Sequence, residues 1–278
     1  MTEITASMVK ELRDETGLGM MECKRALIDA GGDKAKAIQI LRERGLSVAT
    51  KKASRAANNG VIAARVAPDG ATAALLEVNC ETDFVARNEV FRSLVSELLD
   101  TALADDTQLA ERSQAAITSA IQKTGENIVL RRHLRWTATM PGRLAAYVHL
   151  GDKLGVLVEL GVSDPALISA TGIADVAKDL TLHVAANRPP YLDRSAVPAE
   201  VLANEREIYA KQVTNKPPQI VEKIVQGKLE KFFATVCLLE QPFVRDDKIS
   251  VGQWLDARGR ELGGPITVRR YVVWQLGE

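Results

Sequence analysis

Apolar positions along this chain recur first at a helical period, then at the period of two that marks strands, and the changes of period divide it into units. Met8, Val9 and Leu12 share one side of a helix that Thr5 can cap and Gly17 can end. Met20 to Leu27 continue as a second helix that stops at Gly31-Gly32, and Asp33 caps a third, with Ala37, Ile38 and Leu41 on one face and Gly45 closing it. Residues 1–45 therefore read as a three-helix module. Residues 46–57 hold Lys51, Lys52 and Arg55 with Leu46 and Val48 as their large apolar side chains, and read as a linker, either irregular or helical, that lets the module move as a unit. Strands follow at 60–67 and 72–79, joined by a Pro68-Asp69-Gly70 turn. One helix then carries Phe91, Leu94, Val95, Leu98, Leu99 and Ala102, a second carries Ile117, Ala120 and Ile121, and a third strand runs from Ile128 to Trp136.

The strand pattern occurs twice. Gly60-Val-Ile-Ala-Ala-Arg-Val66 matches Gly142-Arg-Leu-Ala-Ala-Tyr-Val148, and Leu75-Leu-Glu-Val78 matches Leu157-Val-Glu-Leu160, both at an offset of 82. The third strand has its twin in Ile266-Thr-Val-Arg-Arg-Tyr-Val-Val-Trp274 at an offset of 138, so the second copy has gained 56 residues before its last strand. Within that gain, Val201, Leu202, Ile208, Tyr209 and Val213, then Ile220, Ile224, Leu229, Phe232, Phe233 and Val236, lie near heptad spacing on either side of Thr214-Asn-Lys-Pro-Pro218. This predicts an antiparallel helical hairpin, either projecting as an arm or lying flat on the core. The fold class expected is α+β: the small helical module, the linker, core subdomain 58–141, a second core subdomain built from 142–198 and 237–278, and the hairpin at 199–236.

The copies part company directly after their second strands. After its second strand the first reads Cys80-Glu81-Thr82-Asp83-Phe84-Val85, whereas the second reads Val162-Ser163-Asp164-Pro165-Ala166-Leu167. A carboxylate and a large aromatic that the sister unit folds without are candidates for function. The bland alternative for Phe84 is a staple onto the following helix, against Val85 or Leu94. Met20 and Met21 pose a similar choice: two adjacent methionines cannot both face so small a core, so one fills it and the other lies on an adaptable surface.

Composition narrows the classes. Lys and Arg total 36, as do Asp and Glu, so no net field draws the chain to nucleic acid or an anionic membrane. Cys23, Cys80 and Cys237 are far apart, which suits buried thiols in a reducing, cytoplasmic setting. No apolar run spans a membrane, and Met1-Thr-Glu-Ile lacks the basic and apolar regions of a signal peptide. There is no phosphate-cradling loop, zinc-protease motif or nucleophile elbow, and Gly17-Leu-Gly19 reads as a helix end. His133, His149 and His183 are scattered over two strands and a helix, and Glu81 with Asp83 makes a poor metal site. No enzyme and no cofactor is expected.

Val9-Lys-Glu-Leu-Arg13, Thr16 to Leu27, Glu77-Val-Asn-Cys-Glu-Thr-Asp-Phe-Val85, His183-Val-Ala-Ala186 and Gln241-Pro-Phe-Val244 resemble elongation factor Ts, the guanine nucleotide exchange factor of translation. The resemblance covers nearly the whole chain. It implies a ubiquitin-associated-like amino-terminal module, a duplicated core and an inserted hairpin, with the GTPase elongation factor Tu, GDP-bound or nucleotide-free, as partner. It further implies that the tip Thr82, Asp83, Phe84 and Val85 enters the GTPase beside the nucleotide's magnesium ion. Lys10, Arg13, Met20 and Met21 would grip the nucleotide-binding domain, and Tyr147 and His149 the third domain. The hairpin would touch the GTPase or mediate self-association. Some members add a helical segment after the last core strand, while this chain ends at Glu278, four residues past Trp274. The rival expectation is an adaptor that joins a GTPase or ribosome-associated partner to another protein without changing either.

Overall fold

The computed structural model describes residues 3–149, 151–169, 171–213 and 216–278. Its first helices, α1 (Ala6–Thr16), α2 (Met20–Asp29) and α3 (Lys34–Lys52), form where the caps predict. The Thr5 hydroxyl accepts from the Met8 amide and the Asp33 carboxylate from the Lys36 amide, while Gly17 ends α1 in the left-handed region at φ 66°. Val9, Leu12, Leu18, Cys23, Ala26, Leu27, Ala37 and Leu41 close the core of the module.

One expectation fails here. Gly45 does not end the third helix; it is buried in its middle, and a Cβ there would lie 2.6 Å from Gln122 Oε1 and 3.4 Å from the Thr118 methyl. The glycine serves close approach between two helices rather than termination. Half of the expected linker is accordingly helical. Its Val48 and Ala49 pack on the first core, Lys52 Nζ donates to the Gly125 carbonyl, and Gln122 donates to Glu22 at 2.6 Å. The module is docked, not tethered.

The first core unit comprises β1 (Asn59–Val66), β2 (Thr72–Cys80), α4 (Asp83–Ala86), α5 (Glu89–Ala104), α6 (Leu109–Arg112), α7 (Gln114–Thr124) and β3 (Ile128–Thr137). The second comprises β4 (Gly142–His149), β5 (Leu154–Val162), α8 (Thr171–Asn187), the hairpin helices α9 (Ala199–Lys211) and α10 (Pro218–Val236), the short β6 (Pro242–Phe243) and β7 (Asp246–Ser250), α11 (Val251–Leu262) and β8 (Ile266–Gln275). The sheets run β1-β2-β3 and β4-β5-β8, all antiparallel. Even the irregularity is duplicated: a bulge falls after Glu77 in one and after Glu159 in the other, at the same offset of 82.

Alternation along the central strands explains the layering. Ala74, Leu76, Val78 and Cys80 face the helices of the first unit, and Leu154, Val156, Val158, Leu160 and Val162 those of the second. The opposite faces meet: Ile62, Ala73, Leu75 and Trp136 pack on Leu144 and Leu157. At Gly155 a Cβ would lie 2.4 Å from the Ile62 methyl and 2.8 Å from Leu75, so the sheets touch through a missing side chain. Gly155→Val should cost about 1–3 kcal/mol through overpacking, read as a lowered urea midpoint with an unchanged slope.

The hairpin rests on its own seam. Val225, Leu229 and Phe233 close against Val201, Leu202, Tyr209 and Val221, with Tyr191, Val197 and Cys237 at the root, so this cluster draws on neither sheet. Arg194 fastens the root by pairing with Glu230 and Glu240 while its guanidinium lies 4.4 Å over the Phe233 ring. Of the expected break, Thr214 and Asn215 lie outside the described residues.

Candidate functional site

The asymmetric segment begins as β2 ends. Thr82 caps the four-residue helix α4, its hydroxyl accepting from the Val85 amide, and Asn88 caps α5 immediately afterwards. Val85 and Ala86 turn into the first core, which leaves Phe84 pointing out, 82% exposed. Asp83 pairs with Arg87 at 3.1 Å on the same surface. A ring this exposed is not packed on Val85 or Leu94, so the staple reading falls away.

The segment is also held from behind. Glu126 accepts from the Thr82 amide at 3.0 Å and from its hydroxyl at 2.6 Å. Asn59 donates to the Glu81 carbonyl at 2.9 Å, and Glu81 itself accepts from the Asn127 amide at 2.7 Å and pairs with Arg55. Cys80 beneath it donates to the Thr82 carbonyl; burial, and after it the charge of Glu126, push the thiol up to about 11, so it is a protonated packing group. In the twin, Pro165–Ser169 form a 3₁₀ turn that folds Leu167 and Ile168 onto the second core. Leu167 thus matches the inward-facing Val85, while the position of Phe84 holds an exposed alanine, Ala166, so only the first copy presents an aromatic.

The remaining candidates occupy two further surfaces. Lys10 and Arg13, three apart on α1, are exposed on one face. Met20 and Met21 are 55% and 61% exposed, so the expectation that one of them fills the module core is wrong: Leu18, Cys23, Ala26 and Leu27 already fill it. Tyr147 and His149 lie two apart on β4, with the phenol oxygen 2.6 Å from Nδ1 and the rings stacked at 5.5 Å. Among the described residues no group of three or more His, Cys, Asp or Glu could hold a metal, and no helix is long and apolar enough to cross a membrane.

A family model described as elongation factor TS matches residues 81–278, a stretch that starts at this tip and takes in the whole second unit. The chain belongs to the elongation factor Ts family. It is 41% identical to elongation factor Ts of Prosthecochloris aestuarii over the full length of both chains. It is 43% identical to that of Symbiobacterium thermophilum, covering all of this chain and 93% of the relative, and 42% identical to that of Nitratidesulfovibrio vulgaris, covering 99% and 96%.

Not every motif shared with elongation factor Ts is surface. His183 is fully buried on α8: Nε2 donates to Gln241 Oε1 at 2.9 Å, Nδ1 accepts from the Val244 amide at 3.2 Å, and the ring stacks on Phe243, which stacks on Trp254. Gln241 in turn donates to the Thr235 carbonyl at the end of α10. These residues join the hairpin to the second core. Burial, opposed by Gln241, holds the His183 pKa below its ordinary value. Between that value and about 6.5 the unfolded chain therefore binds the proton that the folded chain refuses, and stability falls as pH is lowered through this window, by at most about 1.4 kcal/mol per pH unit. Thermal melts at pH 7 and pH 5 should show a smaller acid loss for His183→Gln than for the parent chain.

Reading the sequence missed Glu126, Asn127 and Asn59. The duplication carried the signal: at the offsets already noted their twins are Gly264, Pro265 and Pro141, none of which has a side chain able to make these bonds.

Proposed function

We propose that this chain is a guanine nucleotide exchange factor that releases GDP from elongation factor Tu in the cytoplasm, without covalent catalysis. What supports the reading above all is Phe84, exposed on a capped and buttressed turn beside a carboxylate in the one copy that has such a turn. GDP in such a GTPase is held by backbone N–H groups and a lysine around its phosphates, with magnesium bridging phosphate oxygens to protein. A rigid aromatic and carboxylate pressed beside that ion displace the groups that orient its waters. Bound nucleotide must then weaken binding of the factor by the same factor that the factor weakens nucleotide.

Magnitudes assign the other surfaces. Accelerating release about a thousandfold needs about 4 kcal/mol, whereas burying one phenylalanine supplies about 1.5–3 kcal/mol. The wedge therefore needs anchors. Lys10, Arg13, Met20 and Met21 on the module, and the Tyr147–His149 pair on the second unit, are assigned that role, and the self-supporting hairpin is left for the GTPase or a second copy of the chain. The test is the release of fluorescent GDP from elongation factor Tu at sub-stoichiometric amounts of this protein. Release is expected to accelerate in proportion to the amount added; a stable complex without acceleration would favour an adaptor instead.

A further inference from the structure

We infer that Glu126 is the positioning residue of the tip: its carboxylate, through two hydrogen bonds to Thr82, holds Phe84 in the orientation that exchange requires. This rests on the exchange reading above and extends it to a residue outside the Thr82–Val85 turn.

A turn of four residues has too few bonds of its own to hold an exposed aromatic still. Here the restraint comes from the chain 44 residues on, where α7 ends at Gly125 in the left-handed region, φ 74°. Immediately after that glycine, Glu126 receives both the amide and the hydroxyl of Thr82, at 3.0 and 2.6 Å. Bonds to an ionised acceptor are stronger than neutral ones, and two on one residue fix direction as well as position. The Thr82 oxygen that donates to Glu126 also accepts from Val85, so the two bonds orient the cap on which α4 is built.

The second copy supplies the control. It closes its corresponding helix, α11, with Gly263 in the same left-handed conformation, φ 93°, yet continues with Gly264-Pro265 where the first has Glu126-Asn127. A helix end and a strand can be joined there without a carboxylate. The carboxylate is present only in the copy that carries a tip, so it serves the tip and not the scaffold. The mount also reaches the module. One turn earlier Gln122 donates to Glu22, next to Met21, and Lys52 donates to the Gly125 carbonyl, so the end of α7 carries both the tip and the base of the methionine surface.

Two measurements on the full-length chain test this. Hydrogen exchange of the amides of Thr82, Val85 and Ala86 in Glu126→Ala should quicken by about tenfold or more, with Glu126→Gln, which keeps one acceptor oxygen, in between. Stimulated GDP release should drop about tenfold at saturating factor, with less than about a threefold change in the amount needed for half-maximal effect. Adding Glu126→Ala to Phe84→Ala should bring less than about a twofold further loss, because the glutamate acts through the ring. Unchanged tip protection in Glu126→Ala overturns the inference, as does an equal loss in the Phe84→Ala background. If the parent chain does not accelerate release at all, the exchange reading fails, and amide protection alone then decides whether Glu126 holds the tip.

Discussion

Phe84→Ala is expected to slow stimulated GDP release about 10- to 150-fold, the kinetic equivalent of the 1.5–3 kcal/mol a buried phenylalanine supplies. Affinity for nucleotide-free elongation factor Tu should change far less. The ring is 82% exposed, so its removal takes away no native packing, and the melting temperature should stay within about a degree of the parent's. Any kinetic loss is then a loss at the partner. On the proposed mechanism the two readouts should separate, because nucleotide-free partner offers no magnesium site to disturb, while the module and the Tyr147–His149 surface would continue to hold it. Stopped-flow release of fluorescent GDP gives the rate, and titration against nucleotide-free partner gives the affinity. Equal losses in both would make Phe84 an ordinary contact and end the wedge mechanism. Loss of affinity alone would place it among the anchors.

Duplication makes much of this molecule legible in its sequence. Two offsets located all six long strands, and the failure of the offset at Asp83-Phe84 located the tip. What stayed hidden depended on contacts between distant residues. A glycine inside a helix costs about 1 kcal/mol relative to alanine, so Gly45 read as a stop; only the approach of Gln122 and Thr118 explains why it sits in mid-helix. Counting apolar residues against a small core puts one of Met20 and Met21 inside, but Leu18, just outside the helix, fills that space. Pro242–Phe243 and Asp246–Ser250 are too short to show a period, and their order comes from His183. Glu126 is a polar residue between a helix and a strand, indistinguishable from any loop residue until Thr82 is placed beside it.

Glu159→Ala is expected to lower stability by about 1–3 kcal/mol, the cost of leaving the Thr139 amide without its acceptor while the part-exposed Arg269 and Arg270 rehydrate, and so to lower the melting temperature by about 2–12 °C in a chain of this size. The Glu159 side chain is 1% exposed, on the central strand of the second sheet. Its carboxylate accepts from Arg270 Nε at 2.5 Å, from Arg269 at 3.4 Å and from the Thr139 amide at 2.7 Å. Arg270 then crosses to the first sheet, lying 4.2 Å over Trp136 and donating to the Thr137 carbonyl. The first sheet returns the arrangement: buried Glu77 receives Arg132, which lies 4.5 Å over Trp274 and donates to the Gln275 carbonyl. Each copy thus ends in a hook that closes on the other, as in a two-fold dimer whose halves share one chain. Burial pushes the Glu159 pKa up, but the Thr139 amide and Arg270 together outweigh it and hold the carboxyl below its ordinary range. The contribution is therefore complete above about pH 4.3 and is lost as pH falls through the lower folded value. Acid unfolding of Glu159→Gln should show a weaker pH dependence in that window, with stability at pH 7 already reduced. Removing both charges, in Glu159→Leu/Arg270→Met, should recover most of the loss at pH 7, because the desolvation penalty of the pair leaves with them. A double variant as unstable as Glu159→Ala would mean that the hook acts through packing on Trp136, not through charge. Because the tip follows β2 of one copy and Tyr147 and His149 lie on β4 of the other, this joint also sets the span between the proposed wedge and one of its proposed anchors.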